Sequence, residues 1–206
     1  MVEPTCVNAW VKRLETHITD IERITTNEPI SFIQKTIEKT IAVEGNGDLA
    51  ALIAEELARI GIKHLVLITE NSDIVSKADL TVRPRYDGWP RAEATKHLIQ
   101  NQINPEITVD IVDDLRHISV DAVISCSNTK YSVPCIYALA SPNLLAIHQG
   151  NDEHERVENC FPATNNIISG IAVQRLFNKQ THSLIYTNDN FRVLANGAQD
   201  TLYTTK

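Results

Sequence analysis

The residues that could do chemistry begin in the stretch 41–68, IAVEGNGDLAALIAEELARIGIKHLVLI, where Gly45 and Gly47 separate an apolar run from an amphipathic segment. Glycines at such a junction let the backbone turn tightly, so that the first amides of the following helix can face a phosphate. Ala50 stands at the third glycine position of the dinucleotide fingerprint and is still small enough for close helix–strand packing. The acids complicate this reading. Asp48 falls in the first turn, where its carboxylate is expected to cap the helix and fill the anion site itself. A phosphate would then meet a like charge in a partly dry site, at a cost on the order of a few kcal/mol. Glu44 adds a second acid at the end of the first apolar run. A structural turn is the preferred reading, with a nucleotide turn as the alternative. Past the second run, Glu70 in LVLITE has the chemistry to hold ribose hydroxyls, and equally that of a charge that keeps a strand end in water.

These residues need a frame that gathers strand ends in one place. Strands are predicted over 40–43, 64–68, 107–112, 122–125 and 144–147, and helices over 49–60, 91–101, 131–140 and 166–178. In the first helix Leu49, Leu52, Ile53, Leu57 and Ile60 form one apolar stripe. Several strand candidates are continuous apolar runs, as in a parallel sheet covered on both faces. Their alternation with helices across short connections predicts an α/β fold, a Rossmann-like, doubly wound, mostly parallel sheet. The tail HSLIYTNDNFRVLANGAQD carries β-prone runs around 187–190 and predicts a C-terminal antiparallel hairpin. At the other end Val7, Val11, Leu14, Ile18 and Ile21 alternate steps of four and three, which predicts an N-terminal helix over 6–24 that TTNEP ends. That helix docks either on a partner protomer or on its own domain. The expected organisation is a helix and linker, 1–28, followed by one domain, 29–206.

Composition sets the outer bounds. A chain of 206 residues, 43% hydrophobic, is long enough for one well-buried core. A net charge of −7 excludes a nucleic-acid or anionic-membrane surface as the expected partner. No apolar run approaches the roughly 20 residues of a bilayer span, and MVEPTCVNAW lacks the basic-then-apolar pattern of a signal peptide. Cys6, Cys126, Cys135 and Cys160 are scattered with no CxxC pair, which fits reduced thiols in the cytoplasm or nucleus and no structural zinc.

The stretch DLTVRPRYDGWPRAEATKHLIQNQINPEI narrows the field. Arg83-Pro84, Gly88, Arg91-Ala92-Glu93-Ala94 and Ile103-Asn104-Pro105-Glu106 fall in the order of a proline and glycine leading into a charged helix with an INP-type end. Phe161-Pro162-Ala163-Thr164, Ile168-Ser169-Gly170-Ile171-Ala172-Val173-Gln174 and Asn196-Gly197-Ala198-Gln199-Asp200 follow. Together these resemble the ubiquitin-like-modifier-activating superfamily, with its ThiF/MoeB-like adenylation fold, and most of all the branch that activates the ubiquitin-fold modifier. The resemblance runs from Lys39 to Thr204.

The resemblance implies adenylation of a modifier's C-terminal glycine with MgATP, and in many relatives transfer to a cysteine. Carried over residue by residue, it implies cofactor contacts at Gly45, Gly47, Glu70, Arg91 and Asn128. The fourth glycine-loop position becomes Asp48. The acid ending the second strand falls on Thr69, with Glu70 one place late. The phosphate-binding arginine becomes Asp79, and the lysine of the next helix becomes Arg91, which keeps the charge with a different donor geometry. The metal-associated aspartate becomes Asn128, which brings no negative charge to Mg²⁺. The crossover segment that carries the nucleophile in relatives shrinks to NDEHERVEN, leaving Cys160 beside Phe161-Pro162 as the candidate nucleophile, with His154 and Arg156 able to activate it.

Adenylyl transfer depends on cations positioned around developing negative charge, and here acids stand at two of those points. The leading expectation is a degenerate domain, a pseudoenzyme acting as a binding or regulatory subunit in modifier activation. It would need no cofactor and no metal, and would pair with a ubiquitin-like modifier or an active homologue as a homo- or heterodimer. The alternative is a divergent active adenylating enzyme for a modifier or sulfur carrier, using ATP and Mg²⁺. A weaker one is an NAD-dependent oxidoreductase.

Overall fold

The computed structural model describes residues 38–70, 72–77, 79, 84–127, 129–140, 144–149, 162–177, 183–187, 190–194 and 201–203. The predicted N-terminal helix, the boundary at 28, Asn128 and Cys160 lie outside the described residues.

One sheet of nine strands organises the chain: β1 Thr40–Glu44, β2 His64–Ile68, β3 Thr108–Val112, β4 Ala122–Ser125, β5 Cys135–Ala140, β6 Leu144–Gln149, β7 Ser183–Thr187, β8 Asn190–Leu194 and β9 Thr201–Tyr203. Their order is β3-β2-β1-β4-β5-β6-β7-β8-β9. From β3 to β5 every pairing is parallel. From β5 to β9 every pairing is antiparallel, and the predicted hairpin is β7–β8 within that longer run. The α-helices among the described residues are α1 Asp48–Arg59, α2 Arg91–Leu98 and α3 Pro162–Phe177, with a 3-10 turn, Pro84–Tyr86, ahead of α2 and a π-turn, Ile99–Ile103, extending it.

The central strands are apolar throughout because both faces are covered. On one face Ile41, Val43 and Leu65 pack with Leu49, Ile53 and Leu57 of α1 and Ile168 and Ala172 of α3. On the other, Ala42, Val66 and Val123 pack with Val120, Leu115, Tyr131 and Val133 from the connecting segments. Ala50 is 8% exposed and sits in the first of these clusters, as its small side chain allows.

The predicted helix over 131–140 is instead strand β5. Its residues Ile136–Ala140 are all buried, and they pair with β4 on one side and β6 on the other. A short apolar run of this kind satisfies helix and strand periodicity alike. Pro134 decides the matter locally, because it disfavours helical backbone in the residue before it and offers no amide to a helix.

The turn between β1 and α1 needs both of its glycines, to different degrees. Gly45 has φ 137°, and a Cβ there would lie 2.7 Å from the Cβ of Cys126. Gly47 has φ 85° with nothing within 4 Å of an added Cβ. Gly45→Ala is therefore expected to destabilise the fold by about 2–4 kcal/mol, through strain plus a clash with the Cys126 Cβ, and Gly47→Ala by about 1 kcal/mol, through strain alone. Urea denaturation of the two variants checks the ranking.

Candidate functional site

The chain leaves β1 toward β2 on one side of the sheet and resumes at β4 on the other. The carboxyl ends of these strands flank a crevice at this switch point, the place where open α/β sheets bind ligands. Its volume is about 530 Å³. Gly45, Gly47, Glu70 and Arg91, four of the predicted cofactor residues, line it together.

Arg91 is placed by a short clamp. Ile74 bridges Pro90 in antiparallel fashion. The Arg91 amide donates to the Asp73 carbonyl at 2.8 Å and the Val75 amide to the Trp89 carbonyl at 2.9 Å. This clamp sets the Asp73 side chain against the Arg91 guanidinium. Nε donates to both Asp73 oxygens, at 3.0 and 2.9 Å. Nη1 donates to Asp48 at 2.8 Å and Nη2 to Asp79 at 3.0 Å. The Arg91 side chain is only 9% exposed, so these are buried ion pairs. Burial opposes its charge, but the Asp73, Asp79 and Asp48 carboxylates outweigh that and raise its pKa. A cation in the first turn of α2 also faces the positive end of the helix dipole. It is held there by the three acids.

Asp73 has a second contact. The Gly47 amide donates to its Oδ2 at 2.7 Å. Gly47 is the N-cap of α1 and has no side chain to cap it. The Arg91 guanidinium holds the Asp48 carboxylate, and the carboxylate from 73 takes the loop amide. Asp79 accepts from Arg91 and from the Ser76 amide at 2.6 Å.

A phosphate arriving at the Gly47 amide would displace Asp73 and face a cluster of three carboxylates around one cation. A like-charge contact near 4 Å costs about 4 kcal/mol at the effective dielectric of a protein surface. One charge-assisted hydrogen bond returns about 1.5–3 kcal/mol.

The rest of the wall is acidic too. Glu44, Glu70, Asp113 and Asp114 also line the crevice. Glu44 accepts from the Ser125 hydroxyl at 2.5 Å and from Ser127 at 2.8 Å. Asn46 Oδ1 accepts from the Thr69 hydroxyl at 2.8 Å and ties the loop to the end of β2, so Thr69 serves the loop through its hydroxyl. Among the described residues no group of three or more His, Cys, Asp or Glu side chains is placed to hold a metal ion.

Neither described cysteine is activated. Burial and the Glu44 charge push the Cys126 thiol well above its ordinary range. Burial likewise pushes Cys135 up to about 11, with Glu44 adding to it against a hydrogen bond from Tyr137 that lowers it. At pH 8, Cys135 is expected to hold roughly a hundredfold less thiolate than an exposed cysteine and to alkylate correspondingly slowly, Cys126 more slowly still. Peptide mapping after iodoacetamide treatment at pH 8 and pH 10 checks this.

Sequence reasoning missed Asp73, the residue that closes the site. No local pattern marks it: it lies 26 positions from the amide it binds and 18 from the guanidinium. The Ser125–Glu44–Ser127 contact, which spans 81 and 83 positions, was equally invisible.

No family model matches the chain. Ubiquitin-like modifier-activating enzyme 5 of Bombyx mori is 35% identical over 74 residues, which cover 35% of this chain and 19% of that protein. The match therefore spans under a fifth of the curated relative's length. PaaA superposes with a TM-score of 0.69 at 16% identity, over 95% of this chain and 74% of PaaA. E. coli MccB in complex with MccA-N7isoASN superposes with a TM-score of 0.71 at 14% identity, over 95% and 72% of the two chains. E. coli MccB with ATP gives 0.65 at 14% identity, over 93% and 71%. The resemblance to the ubiquitin-like-modifier-activating superfamily holds, and the fold is the Rossmann-like, ThiF/MoeB-like one. Among the described residues, no helix is long and apolar enough to cross a membrane.

Proposed function

We propose that this chain is a non-catalytic relative of the modifier-activating enzymes, a binding or regulatory subunit whose nucleotide turn is closed by its own carboxylate. The observation that carries this reading is the Asp73 side chain, which occupies the Gly47 amide and the Arg91 guanidinium at once. A phosphate needs both of those groups. The residues present do not fit MgATP: among the described residues the one guanidinium of the crevice is taken by three acids, and the remaining wall is rich in carboxylates. Asn128 at the metal position adds no charge for Mg²⁺. In this reading Gly45, Gly47, Glu70 and Arg91 shape the crevice and no longer hold a cofactor. The domain, 29–206, pairs with an active homologue or a ubiquitin-like modifier in the cytoplasm, and the segment 1–28 lies ahead of it.

One observation favours the active alternative: Gly45, Gly47, Glu70 and Arg91 do meet in a single crevice of ligand size. ATP–pyrophosphate exchange in the presence of candidate modifiers separates the two. The non-catalytic reading predicts exchange at background; robust exchange would establish the active one.

A further inference from the structure

Besides the three carboxylates around Arg91, the crevice holds Glu44, Glu70, Asp113 and Asp114. Asp114 pairs with the exposed Arg116 at 2.6 Å. Glu44 has hydroxyl partners, and among the described residues no cation is paired with Glu44, Glu70 or Asp113. The amino ends of α1 and α3 adjoin the crevice and contribute about half a positive charge each. That leaves an excess of several negative charges in a concave site.

A second feature points the same way. Asn165, in the first turns of α3, lines the crevice and is 5% exposed. Its side-chain oxygen is buried and has no hydrogen-bond partner among the described residues. A buried acceptor left unpaired costs about 1–3 kcal/mol, and such a group in a native fold calls for a donor from outside. A metal ion is a poor candidate for that donor, because metal binding needs ligands converging within about 2.6 Å and no such group stands among the described residues. Carboxylates in a wall that also carries Leu49, Ile68 and Tyr131 suit a different shape of cation.

We propose that this crevice binds a small organic polycation, two or more ammonium groups joined by methylenes, with Glu44, Glu70 and Asp113 taking its charges and the Asn165 carbonyl oxygen accepting from one ammonium. The methylenes lie on the apolar wall. A slender chain reaches the buried Asn165, and a crevice of about 530 Å³ is within the usual range for small ligands. The proposal rests on the reading that the crevice no longer takes nucleotide.

Isothermal titration of spermidine into the full chain at low salt tests it, with MgATP titrated in parallel. One spermidine is expected to bind per chain. Glu70→Gln combined with Asp113→Asn, both chosen to spare the Arg91 cluster, should weaken it at least tenfold, which corresponds to about 1.4 kcal/mol. Asn165→Asp should tighten it by adding a carboxylate at the depth of the crevice, whereas a role of Asn165 in packing alone predicts no gain. Absence of binding at about 1 mM spermidine overturns the proposal. So does binding that is superstoichiometric and indifferent to the variants, or binding of a tetralysine peptide but not of spermidine. Failure of spermidine with failure of MgATP overturns this inference alone; binding of MgATP overturns the reading beneath it.

Discussion

Arg91→Ala is expected to destabilise the fold by about 3–5 kcal/mol, the range found when one partner of a buried ion cluster is removed. The substitution would leave Asp48, Asp73 and Asp79 gathered around an empty centre, with side chains 21%, 13% and 17% exposed. Their mutual repulsion, unscreened by solvent, is the larger part of the loss; four hydrogen bonds go with it. The clamp between 73–75 and 89–91 should loosen as well. Arg91→Lys retains the charge without the planar fork and is expected to recover part of the stability only. Combining Arg91→Met with Asp48→Asn, Asp73→Asn and Asp79→Asn should restore most of it, since a neutral cluster has no charge to strand. Urea denaturation measures all three. A loss below about 1 kcal/mol for Arg91→Ala would place the guanidinium among solvent-screened surface pairs and leave it available to a ligand.

The double substitution Asp48→Gly with Asp73→Ala is expected to produce the opposite kind of change, a gain. It frees the Gly47 amide and two of the three edges of the Arg91 guanidinium that carboxylates now occupy. It also supplies glycine at the start of α1, with the loss of one Arg91 ion pair. The loop then resembles an ordinary anion-binding helix N-terminus. Binding of inorganic pyrophosphate should rise at least tenfold over the native chain in calorimetric titration. The fold should tolerate the change better than Arg91→Ala, because Arg91 keeps Asp79 and gains solvent access. Unchanged pyrophosphate binding in a folded variant would mean that Asp73 is not what keeps anions out.

What could be read from the sequence, and what could not, divides by distance along the chain. β1, α1 and β2 were legible because a buried apolar run, two glycines and a helical apolar stripe all lie within 41–68. That Gly45, Gly47, Glu70 and Arg91 share one crevice followed from motif order, since strand ends converge wherever such units repeat. That Arg91 holds Asp48 was not legible, because the two lie 43 positions apart. Asp73 gave no signal because its placement depends on the Ile74–Pro90 bridge. The strand β5 was mistaken for a helix because six apolar or small residues, CIYALA, fit either period. The antiparallel half of the sheet exceeded the predicted hairpin for the same reason.

The most direct measurement is calorimetric titration of MgATP into the native chain. A turn occupied by Asp73 and an arginine held by three acids predict no specific heat of binding up to about 1 mM nucleotide. A one-to-one isotherm with a dissociation constant in the micromolar range, abolished by Arg91→Lys in a variant that remains folded, would contradict it.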